Sequence, residues 1–130
     1  MPEIDLNPDG PHSPERTKEV ADLLAECVRF LNYSTNGGPG LEYPGDVYSL
    51  LGALYTGTER LPQLLMQLTS FLAAQAASGT LADDHGRDVA TLTAEASYNL
   101  GTAHQLAADL TKALQNAQQA ITGLYVRGES

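Results

Sequence analysis

The segment from about Asp88 to Leu124 contains no proline, and its only interior glycines are Gly101 and Gly123. Val89, Ala96, Leu100, Ala103, Ala107, Leu110, Leu114, Ala117, Ile121 and Leu124 recur through it at helical spacing. That spacing returns to one side of an α-helix and does not match the alternation of a half-buried strand. Such a helix is about 55 Å long and needs a neighbour of matching length. The stretch 46–77, about 48 Å as a helix, supplies one. Asp46 reads as its N-cap, followed by Val47, Leu50, Leu51, Leu54 and Tyr55 on one face. Leu61, Leu64, Leu65, Leu68, Phe71 and Leu72 carry the apolar face to about Ala77, and Ser78-Gly79 stops it. Thr56-Gly57-Thr58-Glu59 leaves two alternatives. It ends one helix and starts another, or it is a weak point in one long helix kinked by Pro62. With a polar turn through Asp83-Asp84-His85-Gly86, the two segments predict an antiparallel hairpin.

Ser13-Pro14-Glu15 is a helix-start signature: an N-cap serine, proline at the first helical position and an acid in the first turn. Val20, Leu23, Leu24, Cys27, Val28 and Leu31 then mark a helix over about 14–32, expected to pack along the hairpin. Residues 34–45 read as a loop. The expected fold class is therefore all-α, a small helical bundle without strands. A flexible acidic arm over 1–13 precedes a single domain over 14–126, and 127–130 form a short tail.

Composition narrows the function classes. The 130 residues carry 7 Lys plus Arg against 16 Asp plus Glu, a formal net charge of −9. Seven of those acids and only two bases lie in residues 1–26. A domain so poor in cations is badly placed to neutralise a phosphate backbone, so no direct nucleic-acid binding is expected. Apolar runs are far shorter than the roughly 20 residues of a membrane span, which predicts no membrane partner. No basic, apolar leader opens the chain, and a lone Cys27 forms no internal disulfide; both point to a cytoplasmic location. Cys27, among Leu23, Leu24, Val28 and Leu31, reads as a small buried hydrophobe.

The motifs that could carry chemistry are incomplete. Asp5-Leu6-Asn7-Pro8-Asp9-Gly10 resembles the opening of an EF-hand calcium loop, but the closing position holds Arg16 and no helix precedes it. Asp83, Asp84, His85 and Asp88 crowd one turn and read as a helix-starting acidic cluster that complements the helix dipole. His104 borders the apolar stripe without the Glu three residues before it that a di-iron bundle uses. Gly37-Gly38-Pro39-Gly40 lacks the Gly-Lys-Ser/Thr ending of a phosphate loop. The six tyrosines lack the basic stripe of a nucleic-acid platform. No catalytic, cofactor-binding or metal-binding set is expected, and no cofactor.

Two further readings accompany these. The hairpin over about 46–129, with Tyr125-Val126-Arg127-Gly128-Glu129 past its second helix, resembles the small secreted partners of type VII secretion systems. The resemblance implies a helical-hairpin substrate or partner of that machinery. The chain departs from the pattern in having no tryptophan, with Ser78-Gly79-Thr80 at the turn. A small ligand- or metal-binding bundle using His104 or the 83–88 cluster is the other alternative. The leading expectation is a non-enzymatic protein–protein interaction module, acting on a protein partner or on itself, most simply as a homodimer. Its candidate interface is Leu110, Leu114, Ala117, Ile121 and Leu124 at the far end of the long stripe.

Overall fold

The computed structural model describes residues 4–128, and the elements among them are three α-helices. They are α1 (Pro14–Ser34), α2 (Pro44–Ala77) and α3 (Val89–Ala120). No described residue lies in a strand, so the chain is all-α, as the periodicity predicts. It divides after Glu42 into two compact units.

The first unit begins in turns built by short polar side chains. The Asn7 backbone N–H donates to Asp5 Oδ1 at 3.0 Å, and that of Asp9 to Asn7 Oδ1 at 3.1 Å. Ser13 caps α1: its Oγ accepts from the Arg16 N–H at 3.1 Å, and Pro14 takes the first helical position, where a missing N–H costs nothing. At the other end the Thr35 N–H and hydroxyl both donate to the Leu31 carbonyl, at 3.0 and 2.7 Å. No residue of α1 is buried. Cys27 is exposed, which corrects its reading as a buried hydrophobe. Leu24, Val28, Phe30 and Tyr33 share that exposure, whereas Val20, Leu23 and Leu31 of the same helix are half-buried.

In the second unit α2 and α3 pack on each other. Tyr43 occupies the N-cap of α2, Pro44 follows it, and Asp46 stands one turn into the helix. There the Asp46 carboxylate accepts from the Tyr43 N–H at 2.9 Å. The helix therefore starts before Asp46, because proline is well suited to the first turn and the carboxylate can serve the cap from inside. Of the two alternatives for 56–62, the single helix is correct: α2 runs unbroken through Gly57 and Pro62. Thr56 and Thr58 turn their hydroxyls onto the helix's own carbonyls, of Gly52 at 3.0 Å and Tyr55 at 3.1 Å, instead of capping a new start.

The Asp88 carboxylate caps α3, accepting from the Thr91 N–H at 3.2 Å and its hydroxyl at 2.7 Å. The helix stops at Ala120, short of the expected Leu124. Tight turns close its end, with the N–H of Ile121 donating to the Gln118 carbonyl and that of Thr122 to Gln119. Gly123 then takes φ +88, a left-handed conformation open to glycine at little cost.

The seam between α2 and α3 repeats every seven residues, as in a coiled coil. On α2 it follows Leu51, Thr58, Leu65 and Leu72, interleaved with Tyr55, Pro62, Thr69 and Ala76, all half-buried. On α3 it follows Thr93, Leu100, Ala107 and Leu114, interleaved with Ser97, His104, Thr111 and Gln118. Ala107 is the one described residue that is fully buried, 7% exposed. Two polar links span the seam: Thr111 Oγ1 to Thr58 Oγ1 at 2.9 Å, and Gln118 Nε2 to the Tyr48 carbonyl at 3.1 Å. The contact moves back along α2 as it moves forward along α3, so the helices run antiparallel.

Candidate protein-docking face

Half of the apolar stripe expected on α3 lies outside this seam. Leu100, Ala107 and Leu114 face α2, whereas Leu110 is 48% exposed and Ala117 is exposed too. The seam is rotated toward the line of Ser97, His104, Thr111 and Gln118, where Thr111 and Gln118 hydrogen-bond to α2. Gln115, off the predicted stripe, is half-buried while Leu110 is not.

What this rotation frees is a second pair of apolar stripes. On α3 they comprise Ala96, Ala103, Leu106, Leu110, Ala113, Ala117 and Ala120. On α2 they comprise Val47, Leu50, Leu54, Leu61, Leu64, Leu68 and Phe71. Phe71 is 63% and Leu106 60% exposed, and Leu64 and Leu68 are nearly half exposed. Leu54, Leu61 and Leu68 each stand immediately before a seam residue of α2; Ala103, Leu110 and Ala117 do so on α3. One residue turns a helix by about 100°. Since the helices are antiparallel, an equal rotation in each brings both stripes to the same side of the hairpin. Of the charged residues of the two helices, Glu59 and Lys112 lie on the opposite side and Arg60 and Asp109 flank the face. Asp46, 18 residues before Leu64, and Glu95, 18 before Ala113, share its azimuth at its two ends. Between those ends the surface is mainly apolar and carries no formal charge, with Asn99 as its polar interruption on α3.

The candidate interface set divides accordingly. Leu110 and Ala117 lie on the open face, Leu114 belongs to the seam, Ile121 is half-buried at the end of α3, and Leu124 is exposed beyond it. Sequence reasoning missed the α2 half of the face by assigning Val47, Leu54, Leu64, Leu68 and Phe71 to the contact with α3. The signal was available in the doublets Leu50-Leu51, Leu64-Leu65 and Phe71-Leu72. Adjacent apolar residues point about 100° apart and serve two neighbours.

The other candidate residues are occupied locally. Asp83 anchors the interhelix turn: Oδ2 accepts from the His85 and Arg87 N–H groups at 3.0 and 3.1 Å, and Arg87 Nε and Nη2 bind the carboxylate at 2.9 and 3.0 Å. The Arg87 side chain, then its backbone N–H, holds the Asp83 carboxyl below its ordinary pKa. Asp88 is held low first by the Thr91 hydroxyl and then by the Thr91 N–H. Among the described residues no group of three or more His, Cys, Asp or Glu could hold a metal ion. In the EF-hand-like turn the Arg16 guanidinium pairs with the Asp5 carboxylate at 3.6 Å and donates to the Asp5 carbonyl, placing a cation beside a calcium-ligand position. His104 takes a seam position. Tyr125 is exposed past the end of α3, while Glu129, the last residue of its motif, lies outside the described residues, as do residues 1–3 of the arm.

No described helix is long and apolar enough to cross a membrane. No protein-family model matches the chain, and neither a curated protein nor a solved structure matches it.

Proposed function

We propose that the chain is a non-enzymatic protein–protein interaction module whose hairpin presents its apolar face to a protein partner. The observation that carries this reading is the largely apolar face of α2 and α3, with Phe71 and Leu106 more than half exposed. Contiguous apolar patches above a few hundred Å² are rare on soluble monomers and mark interaction sites. The exposed, unpaired Cys27 goes with a reducing, cytoplasmic setting. A photo-crosslinking residue at Leu68 or Phe71, introduced in the native cell, tests the proposal. Adducts to a protein chain are expected from these positions and not from Glu59 or Lys112 on the opposite side. Equal yields from both sides, or none from the face, would overturn it.

A further inference from the structure

Resting on that reading, we infer that the occupant of the face is a second copy of this chain, seated about a two-fold axis that runs along the helices. The bulky stripe of α2 in one copy then meets the alanine stripe of α3 in the other, in a four-helix bundle whose lateral neighbours are all antiparallel.

Three observations favour self-pairing. The first is area. Val47, Leu54, Leu64, Leu68 and Phe71 on α2 and Leu106 and Leu110 on α3 are each between 36% and 63% exposed. They offer apolar surface on the order of several hundred Å² toward the ~800 Å² per partner of a standard stable interface. The second is charge. A −9 chain resists its own copy, and the middle of the face carries no formal charge, with Asp46 and Glu95 at opposite ends, so two copies meet there with few like charges brought together.

The third is the match of large against small. The α2 stripe is bulky, with Leu54, Leu61, Leu64, Leu68 and Phe71, and Gly57 is its one gap. The α3 stripe is mostly alanine, with its bulk gathered at Leu106 and Leu110. Gly57 precedes Thr58 and Leu110 precedes Thr111, and those threonines meet across the seam, so gap and bulk lie at the same height. A two-fold axis along the helices keeps heights equal and turns α2 of each copy onto α3 of the other. Leu110 of one copy thereby fills the gap at Gly57 of its partner. An isologous interface has to be self-complementary, and this face is.

Light scattering on the full chain at tens of micromolar is expected to give twice 13.8 kDa. A Cβ at Gly57 meets nothing within 4 Å in the single chain, so Gly57→Leu fits there and improves helix propensity. In the dimer it collides with Leu110, and the variant is expected to be monomeric with undiminished helix content by circular dichroism. Combining Gly57→Leu with Leu110→Ala reopens the space and restores the dimer. Gly101→Leu, at a site equally open but off the face, leaves the dimer intact. A dimer indifferent to Gly57→Leu, or one not restored by the second change, would overturn the inference. So would a wild-type mass of 13.8 kDa. In that event crosslinking from Leu68 separates the two claims. Adducts to a different protein leave the interaction-module reading standing, whereas adducts confined to the same chain remove both.

Discussion

A methyl group on Gly40 would come within 1.9 Å of the Ser34 carbonyl oxygen and 2.7 Å of its carbonyl carbon. These are backbone atoms that a rotamer change cannot move, so the loop after α1 closes only if residue 40 lacks a side chain. Gly40→Ala is expected to open this loop and speed amide exchange at Thr35 and Asn36. Gly38→Ala, with nothing within 4 Å of its added Cβ, leaves exchange there unchanged. A second residue-scale constraint lies in the seam. Thr58 and Thr111 hold two hydroxyl protons for three contacts, with each other and with the carbonyls of Tyr55 and Ala107, so the pair shares its bonds. Replacing either threonine by valine removes the rung, leaves the other hydroxyl only its own-helix carbonyl, and costs about 1 kcal/mol. The double replacement is expected to cost less than the two singles combined in chemical unfolding, and strict additivity would mean that the rung is not coupled.

Among the elements, α3 starts on a charge-dependent device. Asp83 and Asp88 both have carboxyl groups held below their ordinary pKa in the folded chain. A depressed carboxylate pKa contributes stability above the unfolded value, near 4, and that contribution disappears as pH falls through the folded value. Protection of the first turn of α3 should therefore fall on acidification below about pH 4. Asp88→Asn, whose amide oxygen still caps, keeps the turn at neutral pH and makes the fall shallower; an unchanged acid profile would assign the effect elsewhere. The type and pairing of these elements were legible in the sequence because the apolar period holds over 46–77 and 89–120, but Gly57 and Pro62 left open whether the first stretch is one helix or two. The facing was not. Apolar period assigns Leu110 inward and Gln115 outward, but α2 sits over Thr111 and Gln118, whose hydrogen bonds to α2 are invisible to a hydrophobic count. Of the candidate interface residues, Leu110 and Ala117 lie on the open face and Leu114 lies in the seam, and the set contains no residue of α2.

For the molecule as a whole, charge and apolar surface pull in opposite directions. A formal −9 on each copy opposes pairing over distances that salt shortens, to about 8 Å at physiological ionic strength. Self-association is therefore expected to tighten as salt rises from low to physiological levels. Weakening, measured by sedimentation over a salt series, would show instead that ion pairs hold the copies together. The hairpin also has an unusual interior: only Ala107 among the described residues is fully buried, and its seam is lined by threonine, serine, histidine and glutamine as well as leucine. The heat-capacity increment of unfolding tracks the apolar surface newly exposed to water. A hairpin that hides so little has little to expose, so as a single chain it would melt gradually, over a wide temperature range and with a small increment. In the proposed dimer, assembly shifts the missing dehydration to the moment two chains meet. The calorimetric transition then sharpens and its midpoint climbs with protein concentration, so that folding and association become one equilibrium governed by how much protein is present.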